Sequence, residues 1–258
     1  MLSQEKRMRF LISSTIVIVI LFGAYSARAE EVTVLAPGGM RCALGKLSPE
    51  FEKKTGNKVK WATGSGGQTH ERIAKGEAVD VPIVQPPYQD VISSGNVVAS
   101  SEKPLAIVPI MVAVKRGNKK PDISNAEAIK KMLLGAKAIS YPDGSGGAAA
   151  GVSFDKTLKQ LGIYDQIVPK VKRVNGVTLM QLLTRGDIDY AITFNSEIDD
   201  PDADVVGQLP RDISTPTALV GFVSSHAKAP DAAKALLAYI SGPEAVAGYK
   251  ACGMTPGK

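Results

Sequence analysis

From residue 31 onward the chain repeats one unit: a short apolar run, a turn rich in glycine or proline, then a segment of helical period. Residues 32–36 read as a strand, and Pro37-Gly38-Gly39 breaks it. In residues 42–55, Leu44, Leu47 and Phe51 recur at three- and four-residue spacing, which marks one buried helical face. Gly56-Asn57 stands where the helix should end. Strands are expected at 58–63, 80–84, 105–115, 138–141, 170–174, 190–194 and 218–224, with helices between most of them and two more closing the chain at 231–241 and 244–250. Pro109 inside 105–115 predicts an edge or a bend, because proline cannot donate to a strand ladder. Alternation of this kind predicts an α/β protein with mainly parallel sheet. Ligands of such folds bind beyond the carboxyl ends of strands, where the glycine turns fall.

The first 29 residues predict where the protein works. Lys6, Arg7 and Arg9 precede an apolar run from Phe10 to Ala24, and Ala27-Arg28-Ala29 supplies a small-x-small cleavage pattern. This is the pattern of a secretory signal peptide, with cleavage expected before Glu30. The apolar run is shorter than the roughly 20 residues of a spanning helix. The mature chain is thus expected to be exported and not membrane-embedded. About 229 residues remain, enough for one large domain or two small lobes. The formal charge of +6 includes a leader with four basic residues and one acidic, so the mature chain carries +3. That charge is too small and too evenly spread to argue for nucleic acid, and it is compatible with a small anionic ligand.

Cys42 and Cys252 are the only cysteines. Export permits a disulfide, but on general grounds of cysteine burial two free buried thiols are expected. Without clustered histidines they give no metal spacing, and no cofactor is called for. His70 and His226 are isolated.

Three turns carry the chemistry: Pro37-Gly38-Gly39-Met40-Arg41, Gly64-Ser65-Gly66-Gly67-Gln68-Thr69, and Asp143-Gly144-Ser145-Gly146-Gly147. Each precedes an expected helix. Glycines let backbone amides approach a ligand, and a helix start favours anions. Arg41 adds a planar fork suited to a carboxylate. Taken singly, each turn is also explained by tight strand–helix packing. None matches a phosphate loop or the dinucleotide fingerprint, and neither a Gly-x-Ser-x-Gly elbow nor a His-Glu-x-x-His motif occurs. Asp187, Asp189, Asp199 and Asp200 read as a solvated edge. Glu197 is the exception, because it lies just past the strand at 190–194, where a site would open.

These residues also carry a resemblance. The strand and turn Val34-Leu35-Ala36-Pro37-Gly38-Gly39, the run Phe51-Glu52-Lys53-Lys54-Thr55-Gly56, the Gly64-Ser65-Gly66-Gly67 turn, and Asp80-Val81-Pro82-Ile83 resemble the molybdate-type periplasmic solute-binding proteins of ABC transporters. The end, from Ala232-Ala233-Lys234 through Ser241-Gly242-Pro243-Glu244-Ala245 to Gly253-Met254, is similar to that family's closing segment. The family is also related to aconitate isomerase. The resemblance implies a type II, two-lobed binding-protein fold, with lobe one at 30–105 plus 217–258 and lobe two at 106–216. Two strands near 107–112 and 193–215 would cross between lobes as a hinge. It implies a monomer that delivers a small anion to an ABC-type permease. The ligand set would be Gly38, Gly39, Met40, Arg41, Ser65, Gly66, Gly67, Gln68, Gly144, Ser145, Asn195, Ser196 and Glu197.

Molybdate binders of this type carry Ser where Gly39 and Gly66 stand here. Losing two hydroxyl donors while gaining Arg41 and Gln68 points instead to an organic carboxylate. Three alternatives remain open: a molybdate or tungstate binder, a sensor of the same ligand, and an isomerase of an unsaturated polycarboxylate. The isomerase would draw its base from His70, Glu197 or Tyr141.

Overall fold

The structure, a computed structural model, describes residues 29–173 and 176–257, and for 176–178 the backbone alone. The expected leader through residue 28 and the last residue of the expected strand at 170–174 lie outside the described residues. The strands are β1 (Glu31–Pro37), β2 (Lys58–Gly64), β3 (Val81–Val84), β4 (Lys103–Val108), β5 (Ile110–Lys115), β6 (Ile139–Ser140), β7 (Tyr190–Phe194), β8 (Ala203–Gln208), β9 (Thr217–Gly221) and β10 (Thr255–Pro256). The helices are α1 (Arg41–Thr55), α2 (Gly66–Ala74), α3 (Gln89–Ser93), α4 (Ala126–Gly135), α5 (Ala149–Gln160), α6 (Tyr164–Ile167), α7 (Gly176–Arg185), α8 (Pro230–Ser241) and α9 (Val246–Ala251). None of the described helices is long and apolar enough to cross a membrane.

The strands form two sheets, ordered β10-β4-β9-β3-β1-β2 and β6-β7-β5-β8. The chain passes between them twice. The expected single strand at 105–115 is in fact β4 in one sheet and β5 in the other, divided at Pro109. Proline cannot donate a ladder hydrogen bond, so the strand bends there and changes sheet. The return path runs from β8 to β9 through residues 209–216, and the Leu209 amide holds it against β5 by donating to the Ile110 carbonyl at 2.8 Å.

The expectation of mainly parallel sheet is corrected. Of eight strand pairings among the described residues, β1–β2, β1–β3 and β6–β7 are parallel and five are antiparallel. The two passages between sheets bring β9 and β5 back against their neighbours in reverse direction. β8 has no clear sequence signal, since its residues are half-buried without sharp alternation. Among the described residues, the expected strand at 170–174 reduces to a single bridge from Val171 to Ile139.

In the first sheet's lobe, α1 buries Ala43, Leu44, Leu47 and Phe51, as its spacing predicts. Asp80 fastens β1 to the start of α8. Its carboxylate accepts from the Thr33 amide at 2.8 Å and the Thr33 hydroxyl at 2.6 Å, and from the amides of Lys228 at 2.6 Å and Ala229 at 3.1 Å. The expected free thiols are overturned: Cys42 and Cys252 form a disulfide across 210 residues, with their Cα atoms 5.9 Å apart. The packing of α9 on α1 brings them together, with Gly248 so close to Leu47 that a Cβ would lie 2.5 Å from its Cδ2.

A cleft between the two sheets as candidate functional site

The carboxyl ends of β1, β2 and β3 face the carboxyl end of β7 and the start of α5 across a cleft of about 540 Å³. The first turn folds as a 3-10 turn, Gly38–Met40, that leads directly into α1. Its glycines allow a close approach between lobes. A Cβ on Gly38 would sit 3.3 Å from Glu197 Oε1, and one on Gly39 would touch the Phe194 ring and Val108 at 3.5 Å. Gly38, Gly39 and Arg41 line the cleft, whereas Met40 turns inward and is fully buried in the core. The expected contact from the Met40 side chain is not found, because the tight turn directs it away from the opening. Arg41 is exposed, and its Nη2 donates weakly to Thr63 Oγ1 at 3.4 Å.

In the second turn Ser65 caps α2, its Oγ accepting from the Gln68 amide at 3.2 Å. Ser65, Gly66 and Gln68 line the cleft. Gly67 does not line it, and its amide instead donates across the lobes to the Gly147 carbonyl at 3.0 Å. In the third turn Ser145 is occupied with Asp143, which accepts from its amide at 3.0 Å and its hydroxyl at 2.8 Å. Gly144 packs against the backbone of α5, where a Cβ would lie 2.8 Å from the Val152 nitrogen. Neither Gly144 nor Ser145 is among the cleft's lining residues; Asp143, Gly146, Ala148, Ala149 and Ala150 are.

Beyond β7, Asn195 donates to the Cys252 carbonyl at 3.3 Å and Ser196 to the Gly38 carbonyl at 3.4 Å. Both hold the lobes together beside the cleft instead of lining it. Glu197 does line it. Burial pushes the Glu197 carboxyl above the usual range, and the Thr193 hydroxyl, nearby Arg41 and the Phe194 amide only partly offset this. Asp199 opposes them, reinforcing the rise.

Sequence reasoning missed the start of α5 and Gln85. No side chain caps α5, which leaves its first amides without a side-chain acceptor, and Ala149 and Ala150 line the cleft. Gln85 follows β3 at its carboxyl end, the position where such folds bind ligands, and that was the available signal. Arg41 is the one cation among the lining residues; Asp143, Glu197 and Asp199 are the acids. Asp143 is held below the usual carboxylate range by the Ser145 hydroxyl and amide. The lining thus sets one guanidinium against three carboxyl groups, with no broad positive field.

Tyr141 lies elsewhere, fully buried, donating to Asp155 at 2.6 Å and accepting from Arg173 Nη2 at 3.0 Å. Burial, and then Asp155, raise its hydroxyl pKa, and Tyr141 is not among the residues lining the cleft. His70 pairs with Asp90 at 2.6 Å and lines a neighbouring cavity, not this one.

Residues 32–255 match the family model of the bacterial extracellular solute-binding proteins. An aconitate isomerase from Pseudomonas sp. is 30% identical over 233 residues, covering 87% of each chain. The periplasmic molybdate-binding protein of Azotobacter vinelandii superposes with a TM-score of 0.73 at 19% identity, over 87% of this chain and 98% of that one. PEB3 of Campylobacter jejuni, solved with L-phospholactate bound, superposes with a TM-score of 0.65 at 19% identity, over 87% and 99%. The two-sheet architecture is that of the type II periplasmic binding proteins, and the chain belongs to the bacterial extracellular solute-binding proteins.

Proposed function

We propose that this protein captures a small organic carboxylate between its lobes and presents it to an ABC-type permease in the periplasm. The observation that carries this reading is the pairing of Arg41 with the uncapped start of α5 across one cleft. A guanidinium and a set of helix-start amides suit the two ends of a planar anionic group. Gly39 and Gly66 leave out side-chain hydroxyls at two positions where a tetrahedral oxyanion would use them. Among similar proteins, one is named for molybdate, one holds phospholactate and one isomerises aconitate, so the scaffold accommodates both inorganic and organic anions. In this reading residues 1–29 are a leader cleaved before Glu30, 30–105 plus 217–258 form lobe one, 106–216 form lobe two, and the mature protein is a monomer.

Ligand binding to the folded state raises thermal stability. In a thermal-shift screen of oxyanions against mono-, di- and tricarboxylates, carboxylates should give the largest shifts. Response to molybdate or tungstate alone would overturn the reading. Mass spectrometry of the exported protein should find Glu30 at the N-terminus.

One observation favours a second reading. Glu197 is a carboxyl of raised pKa in the cleft wall, the form suited to proton transfer, and the relative at 30% identity is an isomerase. Incubating purified protein with cis- or trans-aconitate and following the alkene protons by NMR decides between them. Turnover that Glu197→Gln abolishes would make the protein an enzyme.

A further inference from the structure

A second cavity, of about 710 Å³, lies on the other side of the Gly67–Gly147 contact. Gly66, Gln85 and Ala149 wall both cavities. The surface of the second is mostly apolar, with Pro86, Pro87, Val152, Pro216 and Ala218 in its lining, and His70, Glu71, Lys75, Asp90 and Lys156 also wall it. Among the described residues, Val152 is one of four large apolar side chains left exposed, at 40%. A groove of this character next to a polar cleft is the usual composition of one ligand site: apolar walls for a body, few polar groups for a head.

Gln85 is the partition. Its carboxamide packs so tightly on the start of α2 that a Cβ on Gly66 would lie 2.2 Å from Nε2. Its Oε1 is buried without a hydrogen-bond partner. A buried acceptor in that state is held by packing alone, so turning the side chain outward sacrifices no hydrogen bond at that oxygen and opens the shared wall.

We infer that the two cavities form one extended site for a carboxylate with a long hydrocarbon body. The head lies at Arg41 and the start of α5, and the body passes Gln85 into the apolar cavity. This rests on the carboxylate reading of the cleft.

Calorimetry on the whole mature protein with straight-chain monocarboxylates from propanoate to octanoate tests it. Each added methylene should tighten binding about fourfold, the equivalent of about 0.8 kcal/mol per buried methylene. Val152→Trp should fill the apolar cavity and remove that gain, leaving propanoate affinity within about twofold. Val152→Asn, which adds polarity without bulk, should halve the gain or more, and it covers the case in which the tryptophan disturbs folding. Propanoate binding with no gain along the series, or a gain that survives both substitutions, overturns the extended site and leaves the carboxylate reading standing. Failure of every carboxylate to bind overturns both.

Discussion

Gly67 and Gly147 meet backbone to backbone across the lobes. The Gly67 amide donates to the Gly147 carbonyl at 3.0 Å, and a Cβ on Gly147 would lie 2.8 Å from the Gly67 Cα. Gly147 also has φ +76°, which side chains rarely adopt. The contact lies beside Gln85 at the boundary between the polar cleft and the apolar cavity, and it requires the lobes to be together. Gly147→Ala should therefore act mainly on the closed state, weakening ligand affinity about tenfold or more, with about 1 kcal/mol of stability lost to the left-handed backbone. Calorimetry and denaturant titration separate the two effects. Native affinity in a folded variant would mean that the seam does not take part in closure.

Arg41→Ala should weaken anion binding by about 1.5–3 kcal/mol, the usual range for a hydrogen bond to a charged group. Because Arg41 is exposed and makes only a long contact to Thr63, stability should change by no more than about 0.5 kcal/mol. Arg41→Lys should recover only part of the affinity, since an ammonium lacks the planar fork.

Glu197 gives a pH dependence of definite sign. Burial raises its carboxyl, so between the ordinary carboxylate range and the raised value the folded protein binds more protons there than the unfolded chain. Stability from this group is present below the ordinary carboxylate range and falls as pH rises through the raised value. Anion affinity should fall over the same interval, because an ionised Glu197 repels the ligand. Arg41 favours that ionisation and Asp199 opposes it. Glu197→Gln should flatten the affinity profile; a profile identical to that of the native protein would remove Glu197 from the ligand's surroundings.

Asp80 gives the opposite sign. Burial alone would raise its carboxyl, but the Thr33 hydroxyl and the amides of Thr33, Ala229 and Lys228 outweigh that and hold it low. Its stabilisation is present above the ordinary carboxylate range and lost as pH falls through the depressed value. Asp80→Ala strands four donors and should cost about 3 kcal/mol in urea unfolding near neutral pH, less in acid.

Reduction of Cys42–Cys252, or the double change to serine, should cost about 2–5 kcal/mol. The bridge ties the chain's closing segment to α1, so loss of protection in hydrogen exchange should concentrate at 246–257.

Periodicity sufficed for most elements. The spacing of Leu44, Leu47 and Phe51 places α1, and the glycine turns mark where strands give way to helices. These are local properties, set by which side chains share a face within a few residues. The three turns were legible for the same reason, but what each residue does inside them was not. Met40 and Arg41 are neighbours, yet one is core and the other lines the cleft, because a 3-10 turn rotates them apart. Gly67 and Ser65 lie two residues apart, yet one bridges the lobes and the other caps a helix.

The sequence by itself determined the alternating α/β character, the helix faces, the break at Pro109 and the kind of chemistry available at the strand ends. Only the tertiary structure decided the change of sheet at that break, the disulfide across 210 residues, the burial that raises Glu197, and the entry of Gln85 and the start of α5 into the cleft. Each of those depends on which distant segments come within a few ångströms of one another. Sequence spacing sets local periodicity, but it carries no record of such long-range contacts until the sheets assemble.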